Sequence, residues 1–282
     1  MAMSAALLPG AMALGACSTT LNLGGSTSSA ALDPEAQAAS PTNIASLSEV
    51  VQRNPNDAQA YNMRGSVLGR AGRFPEALAD FDHAIAIDAG YAQAYANRGQ
   101  VHRQMNRHEL ALADYNKALS LDQNYAGAYL GRGQVYRAQG RSLDALNDYN
   151  RAIQMSPGNG QAYYNRGLLY QAQGQHGYAV DDFSTALGLI QQQAEPFIAR
   201  GLSRLALGDP KAAASDLDNA VEVEPESLNA WTSRGLAYER LGDKEKAAAS
   251  YAKAIALKKD HEAARKGFAR VGGKPGVTYQ PF

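Results

Sequence analysis

The stretch "AYANRGQ", residues 94–100, recurs with changes five more times: "AYNMRGS" (60–66), "AYLGRGQ" (128–134), "AYYNRGL" (162–168), "PFIARGL" (196–202) and "AWTSRGL" (230–236). Each copy starts 34 residues after the last, with no insertion or deletion. The aromatic falls at Tyr61, Tyr95, Tyr129, Tyr163, Phe197 and Trp231, and a glycine follows four residues later, at Gly65, Gly99, Gly133, Gly167, Gly201 and Gly235. Residues four apart share one helical face, so this half of the unit reads as a helix.

A second register follows in each unit. Small residues stand at Ala77, Ala111, Ala145, Ala179, Ala213 and Ala247, and large ones four later at Phe81, Tyr115, Tyr149, Phe183, Leu217 and Tyr251. Alanine returns at Ala84, Ala118, Ala152, Ala186, Ala220 and Ala254. This is the pattern of a second helix. Between the halves stand Gly72, Gly140, Gly174, Gly208 and Gly242, with Asn106 in the second copy. Glycine, and next asparagine, suits the left-handed conformation that ends a helix. The mid-helix glycines each cost ~1 kcal/mol relative to alanine. Six such costs make sense if paired helices approach closely and the large side chain of one fills the space over the glycine of the other. A unit this small cannot bury its own apolar face, so neighbours must stack.

The pattern resembles the tetratricopeptide repeat family. The resemblance covers residues 58–261 as six repeats: 58–91, 92–125, 126–159, 160–193, 194–227 and 228–261. The proline usual at the end of the second helix is present as Pro157 and Pro225 but is Ala89, Gln123, Gln191 and Lys259 elsewhere. The implied fold is all-α: a right-handed superhelical solenoid of helix–turn–helix repeats. Capping elements are expected at both ends, with residues 43–57 as a half-repeat, residues 262–271 as a solvating helix and residues 272–282 as a disordered tail.

Totals narrow the function. Lys+Arg and Asp+Glu are both 27, so the usual electrostatic footprint of a nucleic-acid binder is missing. The one cysteine, Cys17, excludes an internal disulfide and any multi-cysteine metal site. The five histidines form no i, i+4 pair, and there is no phosphate-cradling loop or nucleophile elbow. Neither catalysis nor a cofactor is expected.

Residues 1–17 carry a short apolar run ending in Leu14-Gly15-Ala16-Cys17. This looks like a bacterial lipoprotein signal with its lipobox. The resemblance implies diacylglycerol on Cys17, removal of the preceding peptide, and a Ser/Thr/Ala/Gly-rich tether over residues 18–42. Ser18 after the cysteine implies the outer membrane, facing the periplasm. No Lys or Arg occurs before Arg53, whereas such signals begin with a positive region. The alternative is an unmodified tail on a cytoplasmic adaptor.

Arg64, Arg98, Arg132, Arg166, Arg200 and Arg234 precede the repeat glycines without exception, and Asp80, Asp114, Asp148, Asp182 and Asp216 recur in the second helices until Ser250 breaks the series. One reading is a ladder that grips a partner's carboxylates. The other is a lattice of Arg–Asp pairs joining helices, favoured because a lattice needs its residue in every cell and a site needs it once.

Binding residues should vary between repeats. In the resembled family the first helices line the concave groove, which places Gln59, Gln93 and Gln161 there as a polar set. Arg70, Arg103 and Arg137 form a basic set in repeats one to three. Leu130, Tyr164, Leu168, Ile198, Leu202, Leu205 and Leu236 form an apolar set in repeats three to six, where the alternative is packing between neighbouring repeats. A partner segment with acidic residues at one end and apolar anchors at the other would suit such a groove. The carboxylate clamp of some family members is not expected: Asn97 and Asn165 fall at one clamp position, but Asn62, Ala96 and Leu130 stand where its lysine belongs. The expected role is a protein-binding scaffold holding proteins or peptides, with envelope or peptidoglycan enzymes as clients by analogy, and self-assembly into a homodimer or longer stack as the alternative.

Overall fold

A computed structural model of the chain describes residues 40–190, 192–277 and 279. Among these there are fourteen α-helices. The first, α1 (Pro41–Arg53), begins where Ser40 accepts a bond from the Asn43 N–H and Pro41 takes the first helical turn. The helix therefore starts two residues ahead of the expected half-repeat, because proline lacks only an N–H that no helix start uses.

Six hairpins follow, one per repeat. Their first helices are α2 (Ala58–Arg70), α4 (Ala92–Gln104), α6 (Ala126–Ala138), α8 (Gly160–Ala172), α10 (Glu195–Ala206) and α12 (Leu228–Leu241). Their second helices are α3 (Phe74–Ile87), α5 (His108–Leu121), α7 (Ser142–Met155), α9 (His176–Leu189), α11 (Pro210–Val223) and α13 (Lys244–Leu257). A last short helix, α14 (Glu262–Arg270), packs on α13 and α12.

The turns explain why every hairpin has the same geometry. Asn106 adopts φ 56° and the five glycines at its position adopt φ 72–88°. In each turn the next N–H reaches back to the carbonyl five residues earlier, as from Arg107 to His102 (2.8 Å) and from Arg141 to Tyr136 (2.9 Å). This bond satisfies a carbonyl that the helix end would otherwise leave bare.

Inside each hairpin the large side chain of the second helix lies flat on the glycine of the first. A Cβ at Gly133 would sit 2.7 Å from the Tyr149 ring, and one at Gly167 2.7 Å from Phe183. The alanines of the second register are wholly buried in all six repeats. Close packing of this kind turns ~1 kcal/mol of lost helix propensity per glycine into dense contact.

Each second helix packs on the first helix of the next repeat, and neighbouring first helices also touch along the whole array. The first helices therefore form the inner layer of the solenoid. The junction of repeats four and five departs from the others. There Gln192 takes φ 60°, and Ile190 packs so closely on Gly160 that a Cβ would meet it at 2.5 Å. Past α14, where a disordered tail is expected, the described residues lie against the helix. The Tyr279 and Phe268 rings meet edge to face at 5.5 Å, and the Lys274 N–H donates to the Tyr279 hydroxyl (2.8 Å).

Candidate functional site

Two rows of arginines run along the first helices. The inner-repeat row is the ladder. Arg98 donates through Nε and Nη2 to both oxygens of Asp114 (2.9 and 2.6 Å) and through Nη1 to Asp82 of the preceding repeat (2.6 Å). Arg132 does the same with Asp148 (2.8 and 2.8 Å) and Asn116 (2.7 Å). Arg166 pairs with Asp182 and Asn150, and Arg200 with Asp216 and Ser184. Arg64 pairs with Asp80. In the last repeat Ser250 replaces the aspartate, and Arg234 turns its Nε to Asp218 (2.6 Å) while Nη1 donates to Ser250 (2.8 Å).

Each ladder arginine thus reaches 16 residues forward into its own repeat and, from Arg98 onward, 16 residues back into the one before. The aspartates are nearly inaccessible, Asp216 at 1 % exposure. The hydrogen bonds to Asp114 and Asp148 hold the Arg98 and Arg132 guanidinium groups above the usual arginine range. Their rings of contact are completed by Tyr95 and Tyr129, whose centroids lie 5.5 and 5.6 Å from the guanidinium carbons. The ladder's carboxylate-binding edges face the chain's own carboxylates.

The second row faces the inner groove. Gln59, Gln93, Arg70 and Arg137 are exposed, and Gln161 and Arg103 are half-buried. Two adjoining cavities line the groove. One of about 340 Å³ brings Arg70 and Gln93 together with Ser66, Asn97, Gln100 and Gln104. The next, about 380 Å³, shares Asn97 and Gln100 and adds Arg103, Tyr115, Leu130, Gln134 and Gln161. Asn97 ties the two first helices, donating to Asn62 Oδ1 (2.9 Å) and Ser66 Oγ (3.1 Å). Neither cavity has a carboxylate in its wall.

The apolar set is divided between display and packing. Leu202 is 37 % exposed on the groove. Leu130 is half-buried against the cluster of Ala145, Tyr149 and Leu169. Tyr164 and Leu168 pack on Phe183 and Ala199, and Ile198 and Leu205 on the cluster that holds Leu217 and Trp231. Leu236 is half-buried. Gln171, which shares this face, donates to the Ala199 carbonyl and to Ser203 (both 2.9 Å), fastening repeat four to repeat five.

Burial pushes the Tyr115 phenol up to about 12, with the Arg103 charge pulling the other way. Tyr149 is likewise raised by burial and opposed by Arg137. Both phenols stay protonated and able to donate at neutral pH. Cys17 lies outside the described residues. Among those described, no group of three or more His, Cys, Asp or Glu could hold a metal ion, and no helix is long and apolar enough to cross a membrane.

Comparison with known proteins places this geometry. No curated protein sequence matches the chain. Among solved structures, YrrB, described as a TPR protein with an unusual peptide-binding site, is 28 % identical with a TM-score of 0.57, covering 66 % of this chain and 96 % of its own. PilF of Pseudomonas aeruginosa is 20 % identical with a TM-score of 0.69, covering 76 % and 97 %. The APC/C hetero-tetramer Cut9–Hcn1 gives 17 % identity and a TM-score of 0.72 over 84 % of this chain but 47 % of that one, so the chain spans about half of that relative's length. Models described as TPR repeat match residues 99–140 and 133–174, and models described as tetratricopeptide repeat match residues 44–92, 160–193 and 198–266. With most of its length matched in this way and six hairpins of one geometry, the chain belongs to the tetratricopeptide repeat family.

Proposed function

We propose that the chain is a non-enzymatic scaffold that holds segments of other proteins in the groove of its first helices, and that a lipid on Cys17 tethers it to the outer membrane on the periplasmic side. The observation that carries the scaffold reading is the inner row of side chains that changes from repeat to repeat. It runs from Arg70 and Arg103 through Leu130 to Leu202, beside a ladder whose arginines do not change. A lattice residue is held by its neighbours, whereas a groove residue that varies is free to suit a partner. The relative YrrB, with its peptide-binding site, supports the same reading. The anchor rests on Leu14-Gly15-Ala16-Cys17, the lone cysteine and the small-residue stretch behind it. Envelope enzymes, including those acting on peptidoglycan, are the clients such a location would supply.

In-cell photo-crosslinking tests the scaffold. A photoreactive residue at Leu202, with Arg137 and Tyr164 as companions, is expected to capture one or a few envelope proteins. Exposed Lys117 on α5 serves as the control and should capture none of them. Capture of the chain by itself alone would replace the scaffold with a self-assembling solenoid. Cys17→Ala is expected to move the protein from the membrane pellet to the soluble fraction, and unchanged sedimentation would overturn the anchor.

A further inference from the structure

We infer that the part of the groove built by α4 and α6 is a docking site for an extended acidic protein segment, with carboxylates about three residues apart pairing with Arg103 and Arg137 and apolar side chains continuing toward Tyr164 and Leu202. This deepens the scaffold reading and rests on it.

The charge pattern carries the inference. The first helices bear arginines in two rows, and the ladder row has its carboxylates within the chain. Among the described residues no carboxylate pairs with Arg70, Arg103 or Arg137. Instead Arg70 and Arg103 stand among neutral amides, which accept or donate to a peptide backbone without competing for the charge. Arg103 lines the second cavity beside Gln134 and Gln161, where a carboxylate would meet a charged donor among neutral amides. At the other end of the groove the row loses its arginines. Glu195 stands near Tyr164, and the repeat position of Arg103 and Arg137 becomes Gln171, Leu205 and finally Glu239. The acidic end of a segment is therefore drawn to repeats two and three, where this row carries its arginines.

Register follows from helix spacing. Packed helices lie about 8–10 Å apart, and α4 and α6 touch. An extended chain rises about 3.3 Å per residue, so its carboxylates recur about every third residue. Apolar anchors start about three residues further on.

The test uses the full chain and a labelled synthetic peptide of about ten residues. It carries Glu at its first and fourth positions, Leu at its seventh and tenth, and Ser or Thr between. Fluorescence anisotropy is expected to show binding that falls about tenfold when both Glu are replaced by Gln, and about tenfold in each of Arg103→Gln and Arg137→Gln. Added salt should weaken it, and Lys117→Gln should leave it unchanged. Unchanged helical content by circular dichroism guards against misfolding of the variants. Equal binding of the Gln peptide, no binding of either peptide, or full binding by the arginine variants overturns the acidic chemistry. Crosslinks from position 202 alongside that outcome would leave the scaffold standing, and their absence would remove both.

Discussion

Arg132 and Arg137 sit on the same helix, five residues apart, and have opposite fates. Arg132 spends three N–H groups on Asp148 and Asn116, which bind α6 to the second helices of two repeats. Arg137 is exposed and has no carboxylate partner among the described residues. The first recurs in every repeat and the second does not. Repetition marks what the solenoid uses to hold itself together, and variation marks what it can offer to something else. The aspartates of the ladder make the same point, since a residue like Asp148, 3 % exposed, is shielded from any partner.

The largest effect should come from breaking the ladder in its middle. Asp148→Ala removes both bonds to the Arg132 Nε and Nη2 and leaves that guanidinium on Asn116 alone. A buried charge stripped of its partner loses 3–5 kcal/mol in fully buried cases. Arg132 retains some solvent, so about 2–4 kcal/mol is expected, read from the urea midpoint with hydrogen exchange locating the loss at repeats three and four. Arg132→Met combined with Asp148→Leu should recover most of it, because apolar pairs of similar volume replace buried ion pairs well.

Arg137→Gln is the counterpart. It should change stability by no more than about 0.5 kcal/mol, as surface substitutions do, while lowering affinity for the acidic peptide. A urea midpoint shift as large as that of Asp148→Ala would erase the distinction between the two rows.

The sequence carried the fold further than it carried the site. Gly72 and Asn106 can be read as left-handed turns, and Gly133 beside Tyr149 as a close approach, because each asks for one residue type for one physical reason. The backward half of the ladder is not legible from residue identity. Its acceptors are Asp82, Asn116, Asn150, Ser184 and Asp218, so the chemistry repeats while the residue does not. Stacking the repeats and scoring hydrogen-bond acceptors at each position would have revealed it. Leu130 and Leu205 show the harder limit. An apolar residue on a first helix serves the next repeat and the groove at once, and only the angle between helices decides the share of each. The start of α1 at Pro41 is hard to read in the sequence for a local reason, since Ser40 and Pro41 look like linker until the cap forms.

The smallest effect lies where the groove position carries the opposite charge. Glu239 occupies the repeat position of Arg137 but is already satisfied, accepting from Arg270 Nε and Nη2 (2.7 and 2.9 Å) and from the Tyr251 hydroxyl (2.7 Å). The hydrogen bond from Arg270 holds its carboxyl below the ordinary 4.5. A carboxylate whose folded pKa is depressed contributes its stability above the unfolded value and loses it as pH falls through the folded one. The link between α12 and α14 should therefore be whole at neutral pH and fade below about 4.5. Because Arg270 is exposed and Glu239 keeps some contact with solvent, Glu239→Gln should lower stability by only about a few tenths of a kcal/mol. Faster amide exchange in α14 at pH 7, converging with the parent protein at pH 3, would locate the effect there. If exchange in α14 did not respond, the cap would be held by Gly267 against Tyr251 and by Phe268, and the paired charge at the far end of the groove would be available to a partner after all.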